Sequence, residues 1–217
     1  MIKVDKVVTI SLAENQARRE STQSELDKLK LKTDFLLAKR DKGHEKRGCF
    51  NSHLQVCREA LFSGCQSVLV FEDDVKILPF SQTQIDRINR FISQQANEFD
   101  VLYLGLIIGK MWFCWFRSIV RAKGAGAHAY ILSRKGMEKL FSYEYNGLPF
   151  DKVLTHDFKC FSVYPIIAEQ HPETRVISDI SPRRKSVGVK DETFWQENFR
   201  RQKWLPWQNL HKTILEK

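Results

Sequence analysis

The run Val68-Leu69-Val70-Phe71 is apolar without interruption and ends abruptly in three acids, Glu72-Asp73-Asp74. Side chains on a strand alternate between its two faces, so a strand with no polar position must be covered on both sides. Val7-Val8-Thr9-Ile10-Ser11-Leu12 is a second short, β-branched segment of this kind; Asp34 to Ala38 and Val101 to Leu104 are further strands.

Helical patterns separate these strands. Residues 14–31 read as a polar helix. From Cys49 to Ser63, Phe50, Leu54, Cys57 and Leu61 fall on one stripe, and Gly64 supplies the stop. Over residues 82–95, Ile85, Ile88 and Ile92 face a core. Strands alternating with helices, joined by connections long enough for right-handed crossovers, predict an α/β fold: a mostly parallel, Rossmann-like central sheet covered by helices. Farther on, Gly124-Ala125-Gly126-Ala127 leads into a strand at Tyr130-Ile131-Leu132. Ser133 is a good N-cap for the next helix, Leu148 to Asp157 reads as a short helix, and Phe161 to Ile167 as a last strand. Residues 39–48 and 106–123 lack a regular pattern and read as loops.

A chain of 217 residues with 42% hydrophobic content can bury one sizeable core. Its formal charge of +9 is concentrated late, since residues 182–217 hold nine Lys/Arg against four Asp/Glu. The organisation expected is a body over 1–181 and a basic, helical C-terminal extension over 182–217. In that extension Arg183-Arg184-Lys185 precede Phe194, Trp195, Phe199, Trp204, Trp207, Leu210 and Ile214, with helical pieces broken at Pro206. Cations with aromatics suit an anionic membrane surface; equally, the aromatics can pack back on the body. No recognised motif supports nucleic-acid binding, and none is expected.

The five cysteines form no C-x-x-C pair and read as free thiols of a reducing compartment. Lys3, Asp5 and Lys6 interrupt any leader-like apolar run, and Lys110 and Arg117 interrupt the stretch from Leu102 to Val120. A cytoplasmic protein is expected, peripheral on the inner face of the membrane if the extension docks there.

In open α/β sheets ligands bind outside the carboxyl ends of the strands, where Glu72, Asp73 and Asp74 lie. Three successive carboxylates repel one another and cost stability unless a cation joins them. Oxygen ligands suit Mg²⁺ or Mn²⁺, which commonly bridge to substrate phosphates. The same trio also fits a solvated turn, and among enzymes it fits phosphatases and nucleotidyltransferases.

The surroundings narrow the choice. Gly48-Cys49-Phe50-Asn51-Ser52-His53, a helix, then Val68 to Val75 with Glu72-Asp73-Asp74 at its end resembles glycosyltransferase family 25. That family includes bacterial lipooligosaccharide galactosyltransferases and the collagen galactosyltransferases. Ile10-Ser11-Leu12 with Arg18-Arg19 is similar to its opening I-N-L and downstream R-R, with Ser11 in place of Asn. Gly126 to Gly136 is similar to its G-x-x-A-Y-x-x-S-x-x-G block, Pro149-Phe150-Asp151 to its P-x-D element, and Pro165 to Gln170 to its segment ending in Gln.

The resemblance implies a GT-A-like single domain, a nucleotide-sugar donor (UDP-galactose foremost), Mn²⁺ or Mg²⁺, and a glycan or lipid-linked glycan acceptor. Asp74 would lie closest to the metal, Glu72 nearer the ribose, and His171 is a candidate to complete the metal shell. Ile10, Leu12, Arg18, Arg19, Ser52, His53, Asp73 and Gly126 would fall at the donor. An inverting transfer needs one base near the acceptor hydroxyl. Asp151 is the first candidate, though a carboxylate there also suits a helix N-terminus; Asp157 and Glu169 are the alternatives. His53 also reads as a satisfied core histidine. UDP-glucose as donor, or a non-catalytic sugar-nucleotide-binding homologue, are the other readings.

Overall fold

The computed structural model describes residues 1–172 and 190–215, with side chains as far as 213. Arg183-Arg184-Lys185, the expected boundary at 181/182 and the Ile214 side chain lie outside the described residues.

The chain begins β1 (Lys6–Leu12), α1 (Gln16–Asp27), β2 (Asp34–Ala38), α2 (Glu45–Phe62), β3 (Ser67–Glu72), β4 (Val75–Ile77), α3 (Gln82–Gln94). It continues β5 (Val101–Phe113), β6 (Ile119–Ser133), α4 (Arg134–Phe141), α5 (Phe150–Asp157), β7 (Cys160–Val163), β8 (Ala168–Gln170), α6 (Glu192–Arg201), α7 (Leu205–Gln208) and α8 (Leu210–Leu215). The main sheet has six strands in the order β2-β1-β3-β6-β5-β7. β1 runs parallel to both β2 and β3, and β5 parallel to β7; β6 is antiparallel to β3, β5 and β7. The α/β architecture with a mostly parallel sheet is as expected, β6 alone running against it.

Both faces of the sheet are covered, as the β3 sequence requires. Val68 and Val70 join a core with Phe50, Val56 and Cys57 of α2 and Leu140 of α4, while Leu69 and Phe71 join one with Leu26 of α1 and Ile85, Ile88 and Phe91 of α3. Ser81 and Ser133 cap α3 and α4, each side chain accepting from the backbone N–H three residues on (Gln84, Gly136).

Three expectations need correction. Residues 106–123 are not a loop: β5 and β6 form a long hairpin pairing as far as Phe113 with Val120. Register shifts between Tyr103 and Gly105, Gly105 and Ile107, and Ile108 and Lys110 break the two-residue alternation from which a strand is read. α2 begins at Glu45, earlier than expected, because the Asp41 side chain accepts from the N–H groups of Gly43 and His44 and pairs with Arg47 at 2.8 Å. The strand expected over Phe161 to Ile167 ends at Val163, and a further strand begins only at Ala168. β7 joins the main sheet, and β8 pairs antiparallel with β4 in a separate two-stranded ribbon. Gly105 permits this ribbon's approach, since a Cβ there would lie 1.9 Å from the Ala168 carbonyl oxygen.

The C-terminal helices pack on the body. Trp195 is 1% exposed and lies edge-on to His128. Asn198 accepts from the Ile108 N–H at 2.8 Å and donates to the Leu106 carbonyl at 3.0 Å, and Gln202 accepts from the Ile166 N–H at 2.9 Å. Pro206 opens α7 instead of breaking a helix, consistent with its lack of an N–H to offer. Trp204 and Trp207 remain 67% and 62% exposed. Among the described residues no helix is long and apolar enough to cross a membrane.

Candidate active site at the end of β3

β3 delivers Glu72 at its carboxyl end, and the turn into β4 adds Asp73 and Asp74. Arg18 on α1 lies 2.7 Å from Asp73 Oδ1 and 3.6 Å from Asp74 Oδ2. Thr22 Oγ1 donates to the Asp73 carbonyl at 2.9 Å, and the His171 N–H donates to the Asp74 carbonyl at 2.7 Å. From the end of β8, Gln170 Nε2 donates to Asp74 Oδ2 at 3.0 Å and reaches within 3.4 Å of Glu72 Oε2. Asp74 Oδ1 is buried with no hydrogen-bond partner among the described residues. Burial, then the neighbouring Glu72, pushes the Asp74 carboxyl up to about 7, against the pull of Arg18. Burial pushes Glu72 up as well, but its hydrogen bond to His53 and the charge of that ring outweigh it and hold Glu72 low.

His53 is both a core and a site residue. It is 1% exposed and stacks on Phe150 with centroids 4.0 Å apart. Its Nδ1 is 2.7 Å from the Tyr130 hydroxyl, and its Nε2 is 3.5 Å from Glu72 Oε1. Cys49, one turn earlier on α2, completes a group in which the Cys49, His53 and Glu72 ligand atoms lie within 4.8 Å of one another. Burial, with Glu72 and Asp151 nearby, raises the Cys49 thiol far above its ordinary value, so it is protonated at neutral pH.

A hard divalent cation fits the oxygen set. Glu72 and Asp74 face one amide, that of Gln170, whose Nε2 is directed at both carboxylates. The buried Asp74 Oδ1, with no hydrogen-bond partner among the described residues, offers one oxygen for such a set. Glu72 and Asp74 are the residues that could hold such a cation, with Gln170 and His171 adjoining.

The other candidates divide. Ile10 pairs with Glu72 across the sheet, and Leu12 ends the same strand. Asp151, in the first turn of α5, accepts from the Gly126 N–H at 2.9 Å; Gly126 takes φ +78°, a conformation that favours glycine. By contrast, Arg19 is directed at the Leu12 and Ala13 carbonyls (2.7 and 3.2 Å), Ser52 Oγ at the Gly48 carbonyl of its own helix (2.9 Å), and Glu169 at Lys76 (2.8 Å). Arg19 and Ser52 thus hold local backbone, and Glu169 braces the β4–β8 ribbon.

His128, within the Gly126–Gly136 segment, is fully buried beneath the site. Burial lowers it from 6.5 to about 4, although Glu72 pulls the other way. Its folded value lies below the unfolded one, so the native state binds fewer protons between the two. The associated stability is fully present above pH 6.5 and is lost as pH falls toward 4. Between pH 7 and 5 this predicts a loss of about 2 kcal/mol, read as denaturant midpoints of the wild type against His128→Asn. Asp74 contributes with the opposite sign over this window, so the difference between the two proteins carries the test.

No protein-family model matches the chain. Procollagen galactosyltransferase 1 of Danio rerio is 25% identical over 145 residues, 55% of this chain and 24% of that protein. The probable inactive glycosyltransferase 25 family member 3 of Bos taurus is 26% identical over 141 residues, 63% of this chain and 22% of that protein. The inactive member 3 of Homo sapiens is 26% identical over 146 residues, again covering 63% of this chain and 22% of that protein. The chain is thus similar to proteins of glycosyltransferase family 25. It spans about a quarter of the length of the curated relatives it matches. Among solved structures, a glycosyltransferase involved in the glycosylation of the major capsid of PBCV-1 overlays on 70% of this chain and 73% of its own, with TM-score 0.44 and 10% identity. For mannose-1-phosphate geranyltransferase from Thermus thermophilus the coverages are 73% and 72%, with TM-score 0.42 and 12% identity.

Proposed function

We propose that this protein is an inverting, metal-dependent glycosyltransferase that moves galactose from UDP-galactose onto a glycan acceptor of the lipooligosaccharide type. The observation that carries this reading is the half-buried Asp74, sharing the Gln170 amide with Glu72 at the carboxyl end of β3, in a chain similar to family 25 proteins. Mn²⁺ or Mg²⁺ held by Glu72 and Asp74 would offset the charge that builds on the donor diphosphate as the sugar–oxygen bond breaks. Arg18 neutralises Asp73 and keeps the trio from repelling the donor. His53, fixed by Tyr130 and Phe150, holds Glu72 in place and ionised. Asp151 is the base for the acceptor hydroxyl, one oxygen anchored on the Gly126 N–H. Glu169 is the weaker candidate, since its ion pair with Lys76 occupies it. The protonated Cys49 thiol is unsuited to act as a nucleophile, which agrees with a single displacement.

A lipid-linked acceptor gives a use to the exposed Trp204 and Trp207, flanked by Arg200, Arg201 and Lys203, as a contact with an anionic inner-membrane surface. The test is incubation with UDP-galactose, Mn²⁺ and a panel of glycan acceptors, with UDP release and the product's anomeric configuration read by NMR. UDP release dependent on metal, with a β-linked product from the α-configured donor, is expected; α-linkage would refute inversion. Several relatives are named inactive, which favours one second reading, a sugar-nucleotide-binding homologue. Metal-linked binding of UDP-galactose without turnover on any acceptor would select it.

A further inference from the structure

We infer that Lys190 is a diphosphate-binding residue of this site, placed to meet the phosphate that leaves with the nucleotide; this rests on the proposed function. Lys190 immediately precedes α6, and its Nζ donates to Gln170 Oε1 at 3.4 Å, while Nε2 of the same amide serves Asp74 and Glu72. The ammonium therefore stands across a single amide group from both carboxylates. Its charge reaches the surroundings too: it favours ionisation of Glu72 and Asp74 and opposes protonation of His128.

The position of Lys190 is built into the fold. Asp191 caps α6 by accepting from the Phe194 N–H at 2.9 Å. Glu192 lies 3.7 Å from Lys76, which is already paired with Glu169 of β8. Trp195 and Asn198 are buried against the β5–β6 hairpin. A docked helix thus carries its leading lysine to the acidic cluster. Arg18, the other cation there, is closest to Asp73 at 2.7 Å. With a divalent ion added to Arg18 and Lys190, the cluster's net charge turns positive, which suits a diphosphate more than a monophosphate. A flexible ammonium that can leave Gln170 for a phosphate oxygen is the expected chemistry for such a contact.

The experiment is calorimetric titration of the wild type, Lys190→Gln and Lys190→Arg with UDP and with UMP, at saturating Mn²⁺. A charge-assisted contact contributes about 1.5–3 kcal/mol, so Lys190→Gln is expected to weaken UDP binding by roughly 10- to 100-fold. UMP binding should change by less than about threefold, and Lys190→Arg should keep most of the preference for UDP. A lysine that only braces Gln170 would weaken both nucleotides alike, and that result, or an unchanged UDP affinity, overturns the inference while leaving the proposed function intact. A wild type that binds neither nucleotide overturns both. Melting temperatures of the two variants, expected to match the wild type at this half-exposed position, separate loss of contact from loss of fold.

Discussion

Asp74→Asn should abolish metal-dependent transfer and, at the same time, make the metal-free protein more stable. The two effects share one cause. Asp74 is half-buried beside Glu72 and Asp73, and its carboxyl is raised from 3.8 to about 7. A folded value above the unfolded one means that the native state holds a proton which the unfolded chain gives up. The side chain's stabilising contribution is thus present below pH 3.8 and is lost as pH rises toward 7. Each unit corresponds to about 1.4 kcal/mol, so a neutral amide of the same shape relieves a real cost at pH 8 and almost none at pH 4. For a domain of this size each kcal/mol moves the melting temperature by about 2–4 °C. A rise of at least about 2 °C is therefore expected at pH 8 in chelator, shrinking toward zero near pH 4. Turnover should fall by about 100-fold or more, the scale of removing one group aimed at developing charge. A variant that keeps its activity, or that melts lower at pH 8 than at pH 4 relative to the wild type, contradicts this account.

Trp195→Ala should be the most destabilising single change in the C-terminal helices. The indole is 1% exposed, packed edge-on against His128 with centroids 5.8 Å apart, in the helix that carries Asn198 to the hairpin backbone. Truncating a buried Trp costs about 3–5 kcal/mol, a fall of about 10 °C in melting temperature. Trp204→Ala, at a 67% exposed position, should stay within about 0.5 kcal/mol. If the two aromatics served the same purpose, a surface docking segment, they would respond alike; unequal thermal shifts distinguish a helix integral to the body from an exposed face available to a membrane. Sedimentation with anionic vesicles should then show the reverse ranking, with Trp204→Ala losing binding and Trp195→Ala, where folded, retaining it.

Fold and site were legible to different degrees, for physical reasons. β3 could be read because burial on both faces forces continuous apolarity, and the Ser81 and Ser133 caps announce α3 and α4. The β5–β6 hairpin could not be read past Leu104, because its bulges reset the alternation and Gly105, Gly109 and Gly124 supply no side chain to count. In the site, Glu72, Asp73 and Asp74 declare themselves as clustered charge at a strand end. Arg18, expected at the donor, is paired with Asp73 instead. Arg19, its neighbour, points away to the Leu12 and Ala13 carbonyls, a distinction of helix face that two adjacent arginines do not encode. Gln170 and Lys190 were the least visible. Their roles depend on the β4–β8 pairing and the docking of α6, both tertiary events joining segments about a hundred residues apart. The only sequence signal was the closing Gln of the Pro165–Gln170 segment. Tyr130 and Phe150 likewise become partners of His53 only once α2, β6 and α5 meet.

The central claim is that the carboxylates at the end of β3 hold a cation for a nucleotide sugar's diphosphate. Calorimetric titration of the wild type with UDP, once in Mn²⁺ and once in chelator, tests it most directly. Binding in Mn²⁺ that disappears in chelator, and that Asp74→Asn removes, is the predicted result. UDP binding of equal strength in both conditions, or none in either, would contradict the claim.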